Sequence, residues 1–359
     1  MKQISSRQLY FFLAAIAPVG KLVLMPSQLV HFAKNDLLFP IATNYLLQAA
    51  LVFCVLLAAR ANETFYDMLC YTFGKVVAKI VVTVLALFLF YAALLPLLEQ
   101  KLYIQSVFYD TLPSSVAFSS FFLVSAYLCS KPLVSYGRVW DFLAPVSMIG
   151  FFGIMLLSVY QADFVALQPV GAAGIGGYLN GTAFTMSWFF DSVLLLTMIG
   201  KFRYQKGMAW KGALSYLAGG AAILLFLATF YGIFSDIASR QLFAFAKISK
   251  YFSGITVLGR IDYLFLFMLT LVMVFYCVLP VRAGVEFLGH AYGEGRYRTT
   301  LYSIGINAVL LTLSILLDFW FGAVNTAISE TLFWIFPAFC ILLPLTALLL
   351  RRKPREKIS

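Results

Sequence analysis

"AAIAPVGKLVLMP", residues Ala14–Pro26, lies inside the first long apolar stretch of the chain, and its reading decides the fold. Pro18 has no backbone N–H and disfavours helix at Ala17. Gly20 tolerates unwinding, and Pro26 can open a second half-helix. Lys21 places a charge in the same turn. A segment crossing a bilayer cannot leave backbone groups unpaired, so such a break is tolerated only in a protein interior or beside a polar cavity. Discontinuous helices of this kind build the substrate sites of secondary transporters, where half-helix N-termini aim positive dipole ends at anionic groups. Lys21 is expected at the start of the second half-helix, adding to that field.

The rest of the chain is consistent with a membrane setting. Of 359 residues, 62% are hydrophobic and 11% charged, against about 25% charged in soluble domains. The apolar runs are continuous over roughly 20 residues, the length of a spanning helix, where barrel strands alternate over about 10. The 36 Phe, 20 Tyr and 5 Trp suit lipid-facing surfaces and interfacial belts. The net charge of +11 does not point to nucleic acid, because the basic residues sit in short loops between apolar runs. Cys54, Cys70, Cys129, Cys277 and Cys340 are scattered without metal or disulfide spacing and read as small buried hydrophobes. No A-x-A cleavage pattern follows the first apolar region, so it is read as a retained span.

The pattern predicts an all-α integral membrane protein with ten transmembrane helices. They fall at about 8–32, 37–59, 76–108, 115–130, 138–160, 182–200, 209–234, 261–289, 299–318 and 329–350. The organisation is one polytopic membrane domain over 1–355, with a first half over about 8–160, a second over about 161–350, and a basic tail at 351–359. The third and eighth spans are long enough to tilt. An even number puts both termini on one side, and 19 of the 26 basic residues then share it, which assigns both ends to the cytoplasm. Among the outside segments, Asp236–Arg260 mixes Leu242, Phe243, Phe245, Ile248 and Phe252 with Arg240, Lys247 and Lys250. It reads as an amphipathic helix on the bundle or at the interface, or as an ordinary loop with one helical turn. Val170–Gly181, "VGAAGIGGYLNG", has no strand before it and no βαβ unit around it, so it reads as a flexible loop and not a phosphate site.

A 5+5 inverted repeat would make span six the counterpart of span one. Span six reads "GTAFTMSWFFDSVLLLTMIGKF", with Asp191 its only acid and Thr182, Thr185 and Ser187 before it. An intramembrane acid costs about 2.5–3.5 kcal/mol on insertion scales, so it needs a partner or a task. Lys21 is the candidate partner, and the pair can serve as gate, proton site or strut. Two readings of Lys21 stay open: with the amides near Val19 and Gly20 it receives a ligand carboxylate, or it snorkels or pairs with a structural acid. Tyr91, near the centre of span three, lines a pocket or is a core aromatic. Glu99 and Lys101, two apart, do not share a helix face. Arg260 and Asp262 open span eight as an interfacial pair, Arg282 and Glu286 are spaced i,i+4 to pair, and His290 is interfacial. No G-x-S-x-G, H-E-x-x-H or Walker pattern occurs, so neither enzyme nor cofactor is expected.

Short stretches along nearly the whole chain resemble one family. "ISSRQLYFFLAAIAPVGKLVLMP" is similar to its Ile-Ser start and glycine-broken first span, and "YDTLPSS" to its turn after span three. "GRVWDFLAPV" resembles its Arg-led fifth span, "LQPV" and "SWFFDS" its approach into the sixth, and "GRIDYLFLF" the start of its eighth. The family is the spore germination permeases, the B subunits of nutrient germinant receptors, in the amino acid–polyamine–organocation superfamily. Pro18, Val19 and Lys21 stand where the superfamily has small residues around Gly20, and Asp191 and Asp262 stand where it has glutamates.

The resemblance implies a sensor in the spore inner membrane that binds a small germinant such as an amino acid. It would signal with a receptor A subunit and a lipoprotein C subunit. It implies ligand contacts at Val19, Gly20 and Lys21 in span one and at Thr185, Ser187 and Asp191 in span six. The alternative is a proton-coupled amino acid permease with Asp191 as protonation site, and a third reading is a channel or structural subunit with no ligand of its own.

Overall fold

A computed structural model describes residues 3–59, 63–109, 111–250, 261–293, 295–317 and 320–350. The Arg260–Asp262 pair and the basic tail expected from the sequence lie outside these residues or their described side chains. Fourteen helices, α1 to α14, run in chain order, and no named strand occurs among the described residues.

The first span starts where a capping box allows it. Ser5 accepts from the Gln8 amide at 3.3 Å, and the Gln8 side chain accepts from the Ser5 amide at 2.9 Å. α1 (Ser6–Phe11) runs into a π-helical turn at Phe12–Ile16 and a 3-10 turn at Val19–Lys21. The cause is Pro18, which cannot donate, so the helix loosens before it and tightens after it. α2 (Met25–Ala33) then starts with Pro26 in its first turn, and the halves diverge by 66°. This corrects the expected place of Lys21. It closes the 3-10 turn at the C-terminal end of the first half, its amide bonded to Pro18 O, and the second half begins four residues later.

The following spans are α3 (Leu38–Ala58), α4 (Phe65–Phe108, bent at Gly74), α5 (Ser114–Cys129) and α6 (Leu133–Ser158). The segment expected as span six is divided: α7 (Gly174–Thr185) passes through a 3-10 turn at Met186–Trp188 to α8 (Asp191–Met198). The glycine stretch read as a flexible loop is therefore corrected. Gly174–Gly181 is helical and opens α7, because a helix packed on a neighbour needs no intrinsic propensity. A Cβ on Gly181 would lie 3.1 Å from Leu29 of α2, so at this glycine the helices approach closely.

α9 (Met208–Phe234) and a 3-10 turn at Ser235–Arg240 lead to α10 (Ala244–Lys250). α10 is the described part of the expected amphipathic segment. It buries Phe245, Ala246 and Ile248 and exposes Lys247 and Lys250, so it packs on the bundle. α11 (Ile261–Tyr292), α12 (Arg296–Leu316), α13 (Phe321–Phe336) and α14 (Leu343–Leu350) complete the chain. The tenth expected span is one continuous helix over Gly322–Leu350, in which Pro337 opens a π-helical turn to Leu342 between α13 and α14.

Seven of the described helices are long and apolar enough to cross a membrane, and the bent α1–α2 pair makes an eighth span. α5 has 16 residues and α7 and α8 only 12 and 8, which is why the remaining two expected spans fall outside that length class. α3 packs on α9, α4 on α11 and α5 on α12. Span one is also tied to span six at both ends. At one end Ile4 bridges Lys201 and Arg203 through backbone bonds of 2.9 Å. At the other, Asp36 accepts from the amides of Gly171 and Ala173 at 2.7 and 2.8 Å.

α9 seats against the first break at Gly219, where a Cβ would stand 2.5 Å from Pro18 Cγ and 2.8 Å from Ala14 O. Gly219→Val is therefore expected to destabilise the fold by about 1–3 kcal/mol, read as a lower unfolding midpoint in detergent micelles. Gly305→Val, with open space at its Cβ position, serves as the neutral comparison.

Candidate functional site

The two breaks leave backbone groups that helices would otherwise pair, and their partners define the site. Ala15 O accepts from Ser147 Oγ at 2.8 Å, Ala17 O from Lys21 Nζ at 3.1 Å and Val23 O from the Ala244 amide at 3.1 Å. In span six, Phe189 O accepts from Gln48 Nε2 at 2.9 Å, and the Phe189 amide donates to Met186 O at 2.9 Å. The breaks are thus closed by side chains and by backbone amides, as hydrocarbon requires.

Between them lies an ion pair. Lys21 Nζ stands 2.8 Å from Asp191 Oδ2, and neither side chain exposes any surface. Each charge sits at the helix end that favours it, Lys21 beside the last carbonyls of the first half and Asp191 at the first residue of α8. Tyr216 donates to Asp191 Oδ2 at 2.7 Å and Tyr276 to Oδ1 at 3.3 Å. The Lys21 ammonium lies 4.9 Å from the Phe189 ring centre and 5.9 Å from that of Tyr45. Both charges are paired and hydrogen-bonded, the condition for burying them at depth.

Of the residues expected at the site, the structure brings Lys21 and Asp191 together and places Gly20 beside them. A Cβ at Gly20 would overlap the Tyr276 ring, so only glycine lets that tyrosine reach Asp191. The others are placed elsewhere. Thr185 Oγ1 donates to Gly181 O at 2.7 Å and accepts from Asn44 Nδ2 at 2.8 Å, and Ser187 donates to Phe184 O at 3.0 Å. Val19 lines a cavity of about 170 Å³ with Pro18, Leu22, Ser147 and Phe151. Tyr91 packs half-buried against the core and makes no hydrogen bond among the described residues.

The structure adds residues that the sequence reading passed over. Asn44, Tyr45 and Gln48 form a polar face on α3 alongside span six, with Asn44 bonding Thr182 O and Gln48 bonding Ser192. Asn44 Oδ1, Tyr45 OH and Gln48 Oε1 are buried and make no hydrogen bond among the described residues. The i,i+4 spacing of Asn44 and Gln48 in an apolar span is a readable signal. Nothing marks Tyr216 and Tyr276 among 20 tyrosines. Deeper in the bundle, Glu99 accepts from Trp188 Nε1 at 3.0 Å, and Lys101 Nζ donates to Ser314 O at 2.6 Å. Toward the end of α11, Arg282 pairs with Glu286 at 2.9 Å, as the i,i+4 spacing predicts, and Lys201 at the end of span six joins the same glutamate. His290, read as interfacial, stacks on Tyr66.

Removing one partner of such a buried pair strands the other. Asp191→Asn and Lys21→Met are each expected to cost about 3–5 kcal/mol of stability, and the double neutral variant much less than their sum. Tyr216→Phe should cost about 1–3 kcal/mol by removing a bond to a charged acceptor. Denaturant unfolding in micelles reads all four.

A family model described as spore germination protein matches residues 37–319. The matched stretch includes Asp191, Tyr216, Tyr276 and the polar face of α3. A search of curated proteins finds no match to the chain.

Proposed function

The chain belongs to the spore germination protein family, and from that premise we propose that it acts as the nutrient-sensing B subunit of a germinant receptor, with its ligand at the broken spans. The carrying observation is the buried Lys21–Asp191 pair, which joins the two breaks at 2.8 Å. A zwitterionic amino acid carries the same two charges. Its carboxylate can replace Asp191 at Lys21, and its ammonium can replace Lys21 at Asp191. Asn44 Oδ1, Tyr45 OH and Gln48 Oε1 offer further acceptors beside them. Gly20, Lys21 and Asp191 are then the ligand-facing residues, Lys21 and Asp191 also the gating pair, and Val19, Thr185, Ser187 and Tyr91 would join the site only in the conformer that a ligand opens. A ligand that opens the pair shifts the balance between conformers only by its differential affinity for them.

The same reading takes the fold as ten spans in a 5+5 inverted repeat, with halves 8–160 and 161–350 within one membrane domain over 1–355. Two broken spans and the pairing of each of α3, α4 and α5 with its counterpart in the second half support it. Both termini and the tail at 351–359 are placed in the cytoplasm, and the membrane is the spore inner membrane. The partners are a receptor A subunit and a lipoprotein C subunit. A second reading, a proton-coupled amino acid permease, is favoured by one observation: Asp191, a carboxylate, stands at the break of span six beside two tyrosine hydroxyls.

Thermal unfolding of purified protein against L-amino acids, nucleosides and sugars tests the ligand site. A zwitterionic amino acid at 100 times its Kd should stabilise the protein by about 2.7 kcal/mol, and its amine and N-acetyl analogues much less. Lys21→Met and Asp191→Asn should abolish the shift, and an unchanged shift in both rejects the site. Uptake into proteoliposomes separates the readings: proton-coupled flux favours the permease, and binding without flux favours the sensor.

A further inference from the structure

At the start of α4, a second site is built from residues with no part in the first. A capping box between Thr64 and Asp67 opens α4 at Phe65. The first nine residues bury Phe65, Met68 and Leu69 and expose Tyr71 and Phe73. At Gly74 the chain turns with φ 82° and ψ 164°, a conformation that favours glycine, and the helix restarts at Lys75. The elbow and the end of α11 form an open groove of about 490 Å³.

Its polar lining is Lys75, Lys79, Thr83, Tyr66 and Tyr292. Lys75 and Lys79 stand one helical turn apart on the same face. Lys79 Nζ lies 4.3 Å from the Tyr292 ring centre, and Thr83 Oγ1, which donates to Lys79 O at 2.8 Å, stands 3.3 Å from the Tyr292 hydroxyl and can accept from it, so the aromatic wall is held in place. Neither lysine has an acidic partner among the described residues, whereas Arg7, Lys21, Lys201 and Arg282 each do. The remaining lining is apolar. Val76, Ile80 and Val84 are exposed and continue along α4 toward the membrane-spanning part of the helix.

We propose that this elbow binds the head group of an anionic phospholipid. The two uncompensated ammonium groups and the hydroxyls receive the phosphate, and the apolar strip of Val76, Ile80 and Val84 takes the first part of an acyl chain. A groove of this size holds a glycerophosphate group. A basic pocket between spanning helices is the form such recognition takes in membranes. The apolar strip selects the lipid over a free phosphate, which would use the lysines alone. The site is independent of the broken spans, so it stands whether or not they hold the germinant.

Native mass spectrometry of the full chain released from nanodiscs of mixed phosphatidylglycerol and phosphatidylcholine tests it. The wild-type protein should retain phosphatidylglycerol over phosphatidylcholine by about tenfold to 30-fold, and Lys75→Gln/Lys79→Gln should lose that preference. Lys75→Arg/Lys79→Arg should keep it, and Ile80→Asn should weaken it with both lysines intact. All three positions are at the surface, and an unchanged unfolding midpoint confirms that the variants fold. Equal retention of the two lipids by the wild type, or full retention by the double glutamine variant, overturns the proposal. Complete displacement of phosphatidylglycerol by inorganic phosphate at matched concentration also overturns it, assigning the elbow to the free ion.

Discussion

Hydrocarbon offers no water to a broken helix, and the whole architecture follows from how this chain meets that constraint. Two apolar segments, α1–α2 and α7–α8, are interrupted near their middles, and each freed carbonyl or amide named above is taken up by a side chain or by backbone. The central closure is electrostatic. Lys21 bonds the Ala17 carbonyl at the end of one half-helix and Asp191 stands in the first turn of the next, so a single 2.8 Å contact lies at both helix ends and pairs both buried charges. The two tyrosines on α9 and α11 then bind the carboxylate from outside the pair, which ties the neighbouring spans to the breaks.

The same two spans are joined at three depths. Ile4 and the Lys201–Arg203 segment meet at one end, Lys21 and Asp191 in the middle, and Asp36 with the amides before α7 at the other. Lys201 extends the first of these ties to Glu286 and Arg282 on α11. Motion of span one without span six would have to break charged or backbone bonds at some level. The half-helices can still pivot at Leu22–Leu24 and Phe189–Phe190, where no regular helix continues.

Much of the fold was legible because its signals are local. Apolar runs give span positions, and Pro18 with Gly20 gives the first break. Span six was readable only through Asp191, an acid with no local reason to be there. The misplaced features depend on tertiary context. Gly174–Gly181 looks like a loop by propensity and becomes helix because it packs on α2. The second break at Phe189–Phe190 carries neither proline nor glycine and is held open by Gln48 from another span. Lys21 stands one half-helix from its expected place, since whether the turn after Pro18 continues depends on a hydrogen bond that the sequence does not display. Tyr216, Tyr276 and Tyr45 are chemically ordinary and acquire meaning only from what they face.

The ion pair also sets a timetable for biogenesis. Its members are separated by 170 residues, and a ribosome adds roughly 5–20 residues each second. The first span thus waits on the order of ten to thirty seconds in the bilayer with its ammonium unmatched, at an insertion cost of about 2.5–3.5 kcal/mol. Insertion machinery that retains early helices until the sixth arrives would shelter that charge, which makes the nascent chain, more than the finished protein, the form most exposed to quality control.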